Sequence, residues 1–230
     1  MTPPTTPSLW NLFLESRILS EVGRLTLRFP SLALGRRGSG QPVLVFPGYL
    51  AGDLTTIPLR NYLCYLGYRV RGWGLGVNRG NVEKLLPKVL ERTDELAQRT
   101  GEAVRLLGWS LGGVLARETA RERPELVQQV VTLGTPVIGG PKYTTVAKMF
   151  ETRTGLSLDD IEAAVREREK IPIHVPVTAI YSRLDGVVSW PACIDRNNPQ
   201  VEHIEVRSSH AGLGLDPDVY RILAQKLAPR

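Results

Sequence analysis

Short, continuous apolar runs recur along this chain, and amphipathic stretches separate them. The runs near 43–46, 68–75, 103–107, 126–133, 176–181 and 201–206 are rich in Val, Ile and Leu. Most lack the polar alternation of a half-exposed strand and predict strands covered on both faces, whereas 201–206, Val-Glu-His-Ile-Glu-Val, alternates. Between them, 55–65, 82–97, 111–123 and 217–227 carry apolar residues at helical spacing. Strands alternating with helices predict an α/β fold with a mostly parallel sheet of about six strands flanked by helices. Consecutive parallel strands put their C-terminal ends on one edge, where open α/β sheets bind ligands. Pro87 should kink its helix or mark the first turn.

Other classes are excluded early. The apolar content of 42% is too high for global disorder, and two cysteines cannot make a disulfide scaffold. The net charge of +6 is spread along the chain, so a solvated basic surface is expected and no nucleic acid. Contact with an anionic membrane surface stays open, with no residue pattern supporting it. Glu15 and Arg17 interrupt the apolar N-terminal stretch before a secretory core could form, so a cytoplasmic setting is expected. Residues 1–8 read as a loose tail and 9–230 as one domain. Residues 9–29 read as a helix packed on its side, with Leu14, Ile18, Val22 and Leu25 inward and Trp10, Leu12, Phe13 and Leu19 broadening the stripe. That helix is also a candidate contact between subunits. Glycines at 72–80 miss the dinucleotide fingerprint, and the dispersed Cys and His give no zinc pattern, so no metal and no cofactor are expected.

One turn on the expected rim stands out. Gly108-Trp109-Ser110-Leu111-Gly112-Gly113 follows a strand and opens a helix. Eleven serines at this glycine frequency predict only about 0.1 chance Gly-x-Ser-x-Gly matches. Ser39 also lies between glycines, but no strand precedes it. A serine on such a tight turn is crowded by the residues two before and two after, which explains glycine at 108 and 112. Its hydroxyl needs a base, and the base needs an orienting acid. His174 sits at a strand's entry and His203 inside a strand, whereas His210 follows a strand and is the expected base. Asp185 follows the strand at 176–181 and is the expected acid. Asp195 competes from a polar stretch that reads as a solvated loop, and Asp159 and Asp160 read as a helix start. The oxyanion needs two N–H donors: Leu111, just after the serine, and Tyr49, in the loop Phe46-Pro47-Gly48-Tyr49-Leu50.

Three stretches resemble the α/β-hydrolase family, and its lipase and esterase branch most. They are 45–50, 107–113, and the pair 182–188 with 208–214. The resemblance spans roughly 42–228. It implies Ser110, Asp185 and His210 as the catalytic triad, with Tyr49 and Leu111 as oxyanion donors. This chain has Pro47-Gly48 where many lipases carry His-Gly, and it has no counterpart of the family's first two strands. The stretch 137–172 is long for a connection and is expected to form a small helical cap. Trp109, Trp73 and Ile138 are expected near the substrate, favouring an apolar acyl or alcohol group. The implied activity is hydrolysis of a small-molecule carboxylic ester. An acyltransferase or thioesterase with the same triad, and a non-catalytic binding protein on the same fold, are the alternatives.

Overall fold

The strands pair side by side in a computed structural model that describes residues 4–7, 13 and 15–228. They are β1 (Pro42–Phe46), β2 (Arg69–Gly72), β3 (Val104–Trp109), β4 (Val127–Leu133), β5 (Val177–Ser182) and β6 (Glu202–Val206). Their order is β2-β1-β3-β4-β5-β6, and every neighbouring pair is parallel. Seven helices accompany them: α1 (Ile18–Leu32), α2 (Ile57–Tyr65), α3 (Val82–Thr100), α4 (Leu111–Glu122), α5 (Ala147–Thr154), α6 (Leu158–Arg168) and α7 (Pro217–Lys226).

Successive strand residues face opposite sides, and each side has its own core. Val43, Val45, Leu107, Val131 and Ile180 pack with α2 and α7 residues such as Leu63 and Leu223. Leu44, Phe46, Leu106, Val130 and Ala179 pack with Val89 of α3 and Leu115 of α4. This double cover is why the inner strands read as largely apolar runs, whereas the edge strands β2 and β6 carry exposed polar residues. The chain runs outward from β1 to β2, then returns to β3 on the other side of β1. The crevice between the ends of β1 and β3 is therefore a switch point, the usual ligand position in such sheets.

Two local expectations are corrected. Helix α3 begins five residues before Pro87, which therefore does not mark its first turn, and Asn81 caps its start by accepting from the Lys84 amide at 3.0 Å. Helix α1 starts later and ends later than expected, and its inner face differs. Val22 is 44% and Leu19 80% exposed, whereas Glu21 and Leu32 are buried. Polar contacts set this orientation: Arg24 pairs with Asp216 and Asp218, each at 3.2 Å. Trp10, Leu12 and Leu14 of that stripe, and residues 1–3 and 8 of the expected tail, lie outside the described residues.

The stretch 137–172 contains α5 and α6 above the sheet rim. Thr144 bridges Val188, and Lys142 pairs with Asp159 and Glu162 at 2.6 Å each. Among the described residues, no helix is long and apolar enough to cross a membrane, and no group of three or more His, Cys, Asp or Glu could hold a metal ion.

Candidate active site

Ser110 sits between β3 and α4 with φ +54° and ψ −124°. Sharing the positive-φ region among the described non-glycine residues is only Leu50, at φ +57°. One lies at the candidate nucleophile and the other directly after Tyr49. Such conformations cost about 1–3 kcal/mol each and cluster at functional sites. Close backbone packing holds the turn. A Cβ on Gly108 would overlap the backbone of Gly112 and Gly113, and one on Gly112 would overlap the Phe46 and Pro47 carbonyl groups. The first turn of α4 thus lies directly on the loop after β1. The Ser110 amide donates to Leu133 O at 2.7 Å, and Thr135 Oγ1 donates to Ser110 O at 2.9 Å.

Leu111 is the first residue of α4, so the helix leaves its N–H without an acceptor. Tyr49 lies in the loop that Gly112 contacts, and its ring packs on Phe150 of α5 at 4.9 Å. A residue that the sequence left without a role braces this loop. Asn78 is fully buried; its Nδ2 donates to Pro47 O at 2.9 Å and its backbone carbonyl accepts from Leu50 N at 2.8 Å. Nothing local in the sequence marks Asn78, because its partners lie about thirty positions upstream.

Asp185 and His210 meet. Asp185 Oδ2 and His210 Nδ1 are 2.7 Å apart, and both side chains are buried. The other carboxylate oxygen, Oδ1, accepts from the amides of Val187 at 2.9 Å and Val188 at 2.7 Å. Burial pulls the His210 pKa down, but the Asp185 charge and hydrogen bond and the Glu15 charge together outweigh it. The net result is a pKa above the ordinary imidazole value of 6.5. The pair rests against the end of β4: a Cβ on Gly134 would lie 3.0 Å from both Asp185 Oδ2 and His210 Nδ1. The preceding residue, Leu133, is the one that accepts the Ser110 amide. From the serine side, Trp109 Nε1 donates to His210 O at 3.2 Å.

The competing residues fall elsewhere. Asp195 is buried rather than solvated, ion-paired with Arg117 and hydrogen-bonded by Asn198. Burial alone would raise its pKa, but Arg117 and those bonds hold it below the usual carboxylate value. His203 lies in β6, where its Nε2 accepts from Asp195 N at 2.9 Å. Burial lowers its pKa. Asp159 and Asp160 occupy the first turn of α6 behind the N-cap Ser157.

A cavity of about 680 Å³ opens beside Ser110 and is lined by residues of α3, α4, α5 and α6. Val82, Leu86, Val114, Phe150, Ile161 and Val165 give it apolar walls. Leu111, Val114 and Glu118 mark its course along one face of α4. Of the three residues expected near the substrate, Trp73 is a fully buried core side chain with Nε1 donating to Gly76 O at 3.0 Å. Trp109 packs toward the His210 loop, and the Ile138 amide donates to Ala192 O at 3.0 Å. The apolar walls come instead mainly from α3, α4, α5 and α6.

No protein-family model matches the sequence, and no curated protein does. Solved structures do resemble the chain. A Bacillus licheniformis lipase superimposes with TM-score 0.65 at 12% identity, over 84% of this chain and 94% of that one. A Paleococcus ferrophilus monoacylglycerol lipase gives 0.59 at 17% identity, over 82% and 95%. The thioesterase domain from the curacin biosynthetic pathway gives 0.53 at 17% identity, over 84% and 93%. At these identities the likeness is one of architecture, and the architecture is clear: this chain has the α/β-hydrolase fold, which its lipase and esterase neighbours share.

Proposed function

We propose that the chain is a serine hydrolase that cleaves carboxylic esters bearing an apolar acyl or alcohol group. The observation that carries this reading is the buried Asp185–His210 pair, set against the strand end that also holds the Ser110 amide. Asp185 keeps the proton on Nδ1 of His210, leaving Nε2 free to act as base. Nε2 takes the Ser110 hydroxyl proton as Oγ attacks the ester carbonyl carbon. The tetrahedral oxyanion is met by the N–H groups of Leu111 and Tyr49. His210 then returns the proton to the leaving alcohol. Water, deprotonated by the same imidazole, attacks the acyl-enzyme and releases the acid and Ser110.

The cavity supports the apolar preference. Each buried methylene is worth about 0.8 kcal/mol, or roughly fourfold in kcat/KM. Arg117 lies seven positions along the chain from Ser110 on α4, a rise of about 10 Å. Beyond that lie Glu118 and Arg168, which pair with each other at 2.6 Å, so the gain per methylene stops there.

The test is p-nitrophenyl ester hydrolysis across acyl lengths, with Ser110→Ala as control. Activity of the variant should fall by about 10⁴-fold or more while its Tm holds. Wild type should label with a fluorophosphonate and the variant should not. Unreduced turnover in Ser110→Ala, or an unlabelled wild type, overturns the reading. Because His210 must be neutral, kcat/KM should fall as pH drops, with its midpoint above 6.5. A second reading, cleavage of a thioester by the same residues, is favoured by one neighbour being a thioesterase domain. Matched oxygen and sulfur esters, assayed with and without a competing alcohol, separate hydrolysis of each from acyl transfer.

A further inference from the structure

In sequence, Glu15 is no more than an interruption in an apolar stretch. In the structure its carboxylate reaches two loops. Oε1 accepts from the amides of Gly186 at 3.0 Å and His210 at 2.9 Å, and Oε2 accepts from Ala211 N at 2.8 Å. Gly186 directly follows Asp185, so one side chain ties the backbone of the acid loop to that of the histidine loop. Glu21, one and a half turns further on, is 1% exposed. It accepts from Ser208 Oγ at 3.0 Å, Ser209 N at 2.7 Å and Ser209 Oγ at 2.8 Å. A Cβ on Gly212 would overlap the Glu21 carboxylate, so the loop closes around it. Six donors from the two loops thus converge on two acidic side chains that the sheet itself does not carry.

We propose that Glu15 is a positioning residue of the site, its carboxylate fixing the Asp185 loop against the His210 loop, with Glu21 anchoring the loop's entry at Ser208–Ser209. This rests on the triad reading above. Two groups bear on titration of the imidazole: Asp185 faces Nδ1 and Glu15 lies at the His210 backbone, while the buried Cys193 thiol, its pKa pushed up by burial and by the Asp185 charge, interacts with Asp185. Of these, Asp185 and Glu15 raise the imidazole pKa. A clamp that acts on this pair therefore leaves a mark that mere packing would not.

The test compares wild type, Glu15→Gln and Glu15→Asp as full chains. Glu15→Gln keeps the size but offers one acceptor oxygen in place of two and removes the charge. Its kcat should fall by about 10- to 100-fold with KM nearly unchanged, and the acid limb of its pH profile should move to lower pH. Glu15→Asp keeps the charge and should leave that limb near wild type. NMR titration of the three histidines gives a readout independent of turnover: the His210 pKa should drop in Glu15→Gln. Fluorophosphonate titration of active sites corrects for any misfolded fraction. A Glu15→Gln profile and His210 pKa that match wild type overturn the clamp while leaving the hydrolase reading intact. A wild type that neither labels nor turns over overturns the hydrolase reading, and the histidine titration then still decides whether Glu15 acts on His210.

Discussion

The two halves of the candidate site are held by different means. Around Ser110 the geometry is set by backbone against backbone: Gly112 on the Phe46 and Pro47 carbonyls, and the Ser110 amide on Leu133. Around His210 it is set by carboxylates reaching across the chain, with Glu15 195 positions and Glu21 188 positions from the amides they accept. The nucleophile half is thus a property of the sheet. The base half depends on a segment that packs on the sheet's flank, through α1 against α7. A rigid scaffold can fix one member of a triad by sterics alone, while loops at the far strand ends need dedicated partners.

This contrast can be broken at several strengths. The largest effect belongs to Gly112→Ala. A new Cβ there meets main-chain oxygen that cannot swing away, so destabilisation should exceed about 4 kcal/mol, read by urea unfolding. A variant of near wild-type stability would mean that the nucleophile half is not backbone-locked. Glu21→Gln should be milder, about 1–3 kcal/mol, because one buried donor loses its acceptor. Its signature should be local: hydrogen exchange should quicken at amides 208–212 and stay slow in β3 and α4. Uniform quickening would erase the distinction between the halves. The smallest effect has the opposite sign. Ser110→Gly relieves a strained backbone and should stabilise by about 1 kcal/mol, raising Tm by roughly 2–4 °C while abolishing turnover. A lower Tm would show that the turn is not strained.

What the sequence makes legible follows the same division. The turn at Ser110 is readable because its signature, Gly108 to Gly113, lies within six consecutive residues, between an apolar run and a stretch at helical spacing. The presence of six strands is readable for the same reason, but their ends are less so: β2 stops at Gly72 rather than at 75, and β3 runs on to Trp109 rather than ending at 107. Asp185 and His210 come within reach because each follows an apolar run. The inner face of α1 does not, since Val22 and Leu25 look equivalent by spacing; ion pairs of Arg24 with Asp216 and Asp218 decide which way the helix turns. Asp195 misleads because its polar neighbours suggest solvent, while its partner Arg117 is 78 positions away. Trp73 sits among rim glycines in sequence, yet its ring points into the core. For α1 and Asp195 the missing information is a pairing between distant polar groups, which no local pattern encodes; for Trp73 it is core packing from elsewhere in the chain.

The left-handed backbone at Ser110 and Leu50 also bears on how such a chain could be improved. On the proposed hydrolase reading, heat resistance and turnover pull in opposite directions at Ser110. Breeding this protein for survival at high temperature, without an assay for catalysis, would reward glycine at both positions, and glycine at 110 would deliver a hardier but silent molecule.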